Sequence, residues 1–255
     1  VKKKKQNFDI NNFKKFKDKI KYFLIENEPS DLHTIDTNEK NHLGLMRLNS
    51  LKRINIQYNK LKEGIHDADK NDLIMVSDCD EIPNLKNFDL KKINNEIILF
   101  KQKIFYYKFN LLHENVDWYG TKACKKKELQ SFEWLKNIKN KKYSFWRLDT
   151  LLSNNKYINV NIINDGGWHF TNIKNFKDVH YKLLNYGEHN EFEKSGLTIS
   201  DINELIKNKE LYFNHTLDKT DPNKYSSKIK LKKVQDNVLP KFLLNNRSGY
   251  SEWFD

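Results

Sequence analysis

Cysteine is scarce in this chain: Cys79 and Cys124 are the only two, which excludes a disulfide-rich scaffold. Cys79 sits between two aspartates, a poor place for a structural bridge. Proline and glycine are also few, at four and eight residues. No Pro/Gly-rich linker divides the chain and no internal repeat is visible, so residues 1–255 are expected to form a single domain. No run approaches the ~18 apolar residues of a membrane-crossing helix. No secretory leader opens the sequence, but it starts at Val1 rather than Met, which leaves room for removed upstream sequence. The expected location is the cytoplasm, or the Golgi lumen if an N-terminal anchor has been removed.

The 255 residues that remain can bury a sizeable core, and 13% aromatics is too many for a disordered chain. The balance of 46 Lys+Arg against 34 Asp+Glu gives a net charge of +12, which raises nucleic acid as a partner. Lys, Asn and Ile are enriched together along the whole chain, as an AT-rich coding sequence would produce. The charge is therefore discounted as a nucleic-acid signal, though it favours anionic substrates. The sequons at Asn214 and Asn246 are expected by chance in so Asn-rich a chain.

Residues 1–12 read as a flexible basic start. Ile20–Ile25 is apolar and aromatic enough for a strand. Leu45, Leu48, Leu51, Ile54, Tyr58 and Leu61 step by three and four, which predicts a helix. Leu73–Val76 is a short continuous apolar run and predicts a buried strand. Ile97–Phe109, Trp118–Cys124 and Tyr157–Asn164 are further strand candidates, and Lys125–Lys142 reads as a charged, mostly exposed connection. Gly166-Gly167 marks a turn or a close backbone approach. Asn175–Tyr186 and Ser200–Lys207 read as helices, the second capped by Ser200 or Asp201. Strands interleaved with helices predict an α/β domain.

Residues 72–83 read Asp-Leu-Ile-Met-Val-Ser-Asp-Cys-Asp-Glu-Ile-Pro. The apolar run leads through the core, and the acids appear where a strand should end, the place where α/β folds bind ligands. In an extended chain Asp78 and Asp80 point to one side, with Cys79 turned back to the core. Acids this close repel one another unless a cation or donors compensate. Oxygen ligands of this kind suit Mg²⁺ or Mn²⁺ shared with phosphates. A bare Asp-x-Asp reads more readily as a solvated acidic turn; the buried strand before it and Glu-Ile-Pro after it favour the metal site.

These residues resemble glycosyltransferase family 17, which includes the enzyme that adds the bisecting N-acetylglucosamine to N-glycans. Asp72–Pro83 is similar to that family's strand ending in Asp-x-Asp-Glu-Ile-Pro. Trp118-Tyr119-Gly120-Thr121-Lys122 resembles its Trp-x-Gly segment, and Gly167-Trp168-His169-Phe170 its Gly-Trp-His motif. Lys182-Leu183 leading to Glu191-Phe192, and Pro240–Asn246, are similar to later stretches. The likeness spans about Phe13 to Phe254, and the family's opening strand and helix have no counterpart after Val1.

The resemblance implies a GT-A-like (Rossmann-like) α/β fold, a mixed sheet flanked by helices. It also implies an inverting, metal-dependent transfer of N-acetylglucosamine from UDP-N-acetylglucosamine to a glycan or glycoprotein acceptor. A divalent cation, Mn²⁺ or Mg²⁺, would rest on Asp78 and Asp80, with His169 as third ligand or as a core histidine beneath Trp168. Trp168 itself is taken as a packing residue. Arg47 and Lys122 are candidates for the donor's phosphates or base, each weighed against an ordinary basic surface. The base that deprotonates the acceptor is sought among Asp165, Glu188 and Glu191; Glu191 is chosen because it falls at a family acidic position. His189 reads as a surface residue.

Two rival functions share parts of this pattern. A haloacid-dehalogenase-type phosphatase also places Asp-x-Asp after an apolar strand and would use Asp78 as nucleophile, but Glu81-Ile82 stands where its small Gly-Thr pair belongs. A basic RNA-binding module lacks any recognition signature here.

Overall fold

The computed structural model describes residues 8–86, 88–89, 96–144, 146–150, 152–187, 189–217 and 221–255; the side chains of Asn190, Glu191 and Pro222 lie outside that description. Residues 1–7 of the basic start, and Glu188 among the candidate bases, also lie outside it.

The three-and-four spacing from Leu45 corresponds to α1 (His42–Leu61). Much of its apolar face, including Leu48, Leu51 and Ile54, is exposed, and the helix meets the core chiefly through Tyr58 near its C-terminus. The apolar run forms β1 (Leu73–Val76), followed by β2 (Glu81–Pro83), beyond whose proline the Asn84 amide still donates to the Gly166 carbonyl at 2.8 Å. The remaining strands are β3 (Ile97–Tyr106), β4 (Leu111–Trp118), β5 (Lys122–Lys125), β6 (Val160–Thr171) and β7 (Lys232–Lys233).

β3 is the hub. β6 runs parallel along one edge, while on the other β5 pairs antiparallel with Ile98 and Leu99 and β4 with the C-terminal half. β1 pairs with β5, β7 with β4 and β2 with β6, all antiparallel. β1 and β2 are therefore separated by β5, β3 and β6. Four strand spacings span about 19 Å in a flat sheet. The five residue steps from Val76 to Glu81 reach about 17 Å even fully extended, and they contain a turn. The sheet must curl to bring the two ends together, and it does so at Ser77–Asp80.

Alternation along β3 divides the core. Ile97 and Leu99 face α2 (Phe132–Asn137) through Phe132, Trp134 and Leu135, while Ile98 and Phe100 face the other way. Further along, Ile104 and Tyr106 pack on α3 (Phe176–Asn185), α4 (His189–Ser195) and α5 (Ile199–Lys207) through Val179, Leu183, Phe192 and Ile202. Each of these fully buried side chains contributes about 1.5–3 kcal/mol by leaving water. α6 (Lys241–Asn245) closes the far end, where Leu243 meets Phe105 and Phe170. The result is a mixed α/β domain with a curled sheet flanked by helices.

Several local expectations are corrected. Ile20–Ile25 is not part of the sheet, and a 3₁₀ segment, Ile10–Lys19, precedes it. The stretch Lys125–Lys142 contains α2, because Phe132, Trp134 and Leu135 are buried rather than exposed interruptions. Trp118–Cys124 is the junction of two strands rather than one. Gly166-Gly167 is the close backbone approach the sequence allowed rather than a turn: β6 continues through it with a register shift against β3, and a Cβ at Gly167 would stand 2.0 Å from the Ile82 carbonyl oxygen, so glycine permits the β2–β6 pairing. The α5 cap is Thr198, in a reciprocal capping box with Asp201. Among the described residues no helix is long and apolar enough to cross a membrane.

Candidate active site at the Ser77–Glu81 turn

The acidic motif does not stay extended. After β1 the chain turns, with the Glu81 amide donating to the Asp78 carbonyl at 3.0 Å, so the two-residue alternation that would aim Asp78 and Asp80 together is lost. Cys79 is exposed on this turn, not folded back into the core. Desolvation, followed by the charges of Asp80 and Asp78, pushes its thiol pKa up, so it is no thiolate nucleophile.

Glu81 is the pin of the turn. Its side chain is fully buried. One carboxylate oxygen accepts from Trp118 Nε1 at 3.0 Å. The other accepts from the Asp78 amide at 2.8 Å and from Lys136 Nζ at 2.9 Å. Lys136 places its other two donors on Asp78 Oδ2 and the Gly120 carbonyl, both at 3.1 Å. Gly120 must be small, since a Cβ there would stand 2.2 Å from the Glu81 carboxylate and 2.3 Å from Trp118 Nε1. A buried carboxylate satisfied in this way holds the turn rigidly against β4 and α2.

The turn separates the two aspartates. Asp78 leans toward Lys136, and the Tyr58 phenol at the end of α1 faces it; burial, then the charges of Asp78 and Glu81, raise the phenol's pKa. Asp80 leans the other way, toward β6. Pairing of Glu81 with His169 in the β2–β6 register, and a bond from the Phe170 amide to the Asp80 carbonyl at 2.9 Å, bring His169 Nε2 to 3.5 Å from Asp80 Oδ2. The Trp118 ring stacks on the imidazole with centroids 4.5 Å apart and fixes its plane. Burial raises the Asp80 pKa, but His169 and the charge of Lys182 on α3 outweigh it, and the carboxyl titrates below its ordinary value. Asp80 is therefore ionised at neutral pH.

The Asp80–His169 pair fits one hard divalent cation. An oxygen and an imidazole nitrogen, Nε2, approach to a distance that a shared ion would bridge, although the second ring nitrogen, Nδ1, is buried without the acceptor that a metal-bound imidazole ordinarily has. Asp78 fits less well as a ligand, because its carboxylate already engages Lys136. Among the described residues no group of three His, Cys, Asp or Glu side chains converges as a ready cage. A cation here would draw its remaining ligands from phosphate and water.

Lys122 turns its ammonium to the end of α2 rather than outward to the surface. It is buried, and its ammonium donates to the Lys136 carbonyl at 2.7 Å and the Ile138 carbonyl at 2.5 Å, closing the C-terminal end of α2. Burial, then the neighbouring Lys136 charge, push its pKa down to about 8. Arg47 lies on the exposed surface of α1, eleven residues before Tyr58 and so about 16 Å along the axis. Asp165 is exposed and paired with Lys103 at 2.6 Å. His189 is buried rather than on the surface, with Nδ1 3.0 Å from the Tyr186 carbonyl. Trp168 is a packing residue, as expected, with Nε1 bonded to the Val238 carbonyl at 2.7 Å.

Sequence reasoning missed Lys136 and Tyr58, and it gave Glu81 no separate role. Trp118 and Gly120 lie in the Trp-x-Gly segment, a signal that did not specify their contact with Glu81. No protein-family model matches the chain, and neither a curated protein nor a solved structure matches it.

Proposed function

We propose that this chain is an inverting, cation-dependent glycosyltransferase of the GT-A type. Its proposed donor is UDP-N-acetylglucosamine, and its acceptor is a glycan or glycoprotein hydroxyl. The observation that carries the proposal is the meeting of Asp80 and His169, from separate motifs, on the rim of a curled α/β sheet.

Asp80 and His169 would hold the Mn²⁺ or Mg²⁺. When bound, that ion would neutralise the charge that gathers on a departing nucleoside diphosphate. Lys136 keeps Asp78 oriented while leaving its carboxylate about half exposed, free to accept from a donor hydroxyl. Lys182 adds positive charge beside Asp80, where an anionic donor needs it. Trp118 locks His169, and Glu81 locks the turn, so little reorganisation is needed when the donor arrives. In this account Glu191 takes the acceptor proton.

A donor screen tests the proposal: nucleotide-sugars with and without Mn²⁺, with nucleoside diphosphate release followed in the presence of glycan acceptors. Cation-dependent release of UDP from UDP-N-acetylglucosamine supports it. Release of inorganic phosphate from simple esters, with an aspartyl-phosphate trapped at Asp78, would replace it by phosphatase chemistry.

A further inference from the structure

Away from the turn, the C-terminal end of α1 and the segment leading into α2 enclose a cavity of about 410 Å³. We propose that this cavity is a binding site for the ring of a nucleotide, with the ligand's phosphate held at its rim.

Its walls are apolar and partly aromatic, formed by Tyr58, Ile65, Leu129 and Phe132. Such walls accept a flat ring by stacking and desolvation. Lys62 and Lys126 stand among the lining residues, and no carboxylate does. Among the described residues neither lysine is paired with an acid. Lys126 is held by the Ala68 carbonyl at 2.5 Å and the His66 carbonyl at 3.2 Å, which fixes its ammonium without neutralising it. An apolar slot of this size with a few convergent polar groups has the form of a small-molecule site, and its charge selects an anion. An apolar ligand would leave the two positive charges without an anion, and a phosphate alone would leave the walls unused; a ring that carries phosphate satisfies both.

Tyr58 belongs to both places, its ring in the cavity wall and its hydroxyl against Asp78. A nucleotide could reach the cavity as part of a sugar donor whose phosphates extend toward the turn, or as a separate free nucleotide. The ring-plus-phosphate chemistry is common to both, and the inference does not require the turn to be catalytic.

The test is calorimetric titration of the full chain with UMP and AMP in EDTA, beside uridine and ribose 5-phosphate. The same titrations are run on Asn59→Trp, which fills the cavity from an exposed helix position, on Lys62→Glu, and on Glu204→Gln, an exposed carboxylate on α5 outside the cavity lining, as a control. A mononucleotide should bind the wild type at least tenfold tighter than uridine or ribose 5-phosphate. Asn59→Trp and Lys62→Glu should each weaken it at least tenfold, with Glu204→Gln unchanged. A UDP titration in Mn²⁺ distinguishes the two sources: Asn59→Trp weakens UDP if the cavity holds the donor's ring and spares UDP if the nucleotide is separate. The proposal is overturned if the wild type binds no mononucleotide, or if both cavity variants bind as the wild type does.

Discussion

The ammonium of Lys136 lies 2.9 Å from Oε2 of Glu81, a carboxylate with no exposed side-chain surface. Breaking such a buried pair leaves an uncompensated charge, which costs about 3–5 kcal/mol. Lys136→Met is therefore expected to destabilise the protein by that amount in urea unfolding at pH 7. Adding Glu81→Gln should recover part of the loss, since the amide carries no charge; a double-mutant cycle that shows simple additivity would contradict the pairing.

Gly120 touches the same carboxylate. Gly120→Ala is expected to cost about 1–3 kcal/mol by overpacking, because its methyl group would overlap both Glu81 and Trp118. Trp118 fluorescence should shift as its indole is displaced. A variant with wild-type stability and an unchanged emission spectrum would show that the neighbours yield freely.

Stability should fall in mild acid because of His215. Its ring is bonded to the Tyr106 hydroxyl, and burial, then the charges of His113, His169 and Lys224, push its pKa down to about 4. The unfolded value is about 6.5, so between pH 6.5 and 4 the unfolded chain binds a proton that the native state refuses. Stability present above pH 6.5 is thus lost as pH falls toward 4, by on the order of 3 kcal/mol. His215→Phe should flatten the curve across that window; an unchanged slope would remove His215 as its source.

Lys122 gives the opposite end of the scale. Its folded pKa of about 8 lies below the ordinary lysine value of 10.5, so the native state sheds its proton first. Stability should rise with pH between about 8 and 10.5 relative to Lys122→Met. The neutral amine still has two N–H groups for the two carbonyls it bonds, so α2 stays closed. Equal slopes for the two proteins across that range would contradict the burial assigned to this lysine.

The run Leu73–Val76 was legible in the sequence because a short apolar stretch bounded by acids has few other uses, and α1 was legible from its period. The partnership of Asp80 with His169 was legible only through family-like motifs, since no local pattern links two residues so far apart. The departures share one physical origin: the curl of the sheet. It replaces the extended Asp78–Asp80 segment by a turn, exposes Cys79, and draws Lys136 from a stretch that looked like surface into contact with two carboxylates. Lys122 shows the same limit in reverse, a lysine among lysines whose burial depends on where α2 ends.

The central claim is that Asp80 and His169 hold a cation against a diphosphate, and UDP binding measured by calorimetry tests it most directly. With Mn²⁺ the wild type should bind UDP at least 100-fold tighter than in EDTA, while UMP should gain little. Asp80→Asn should abolish that gain, and His169→Ala should reduce it, with both variants folded by circular dichroism. Equal UDP affinity with Mn²⁺ and with EDTA, or a full cation effect in Asp80→Asn, would contradict the account.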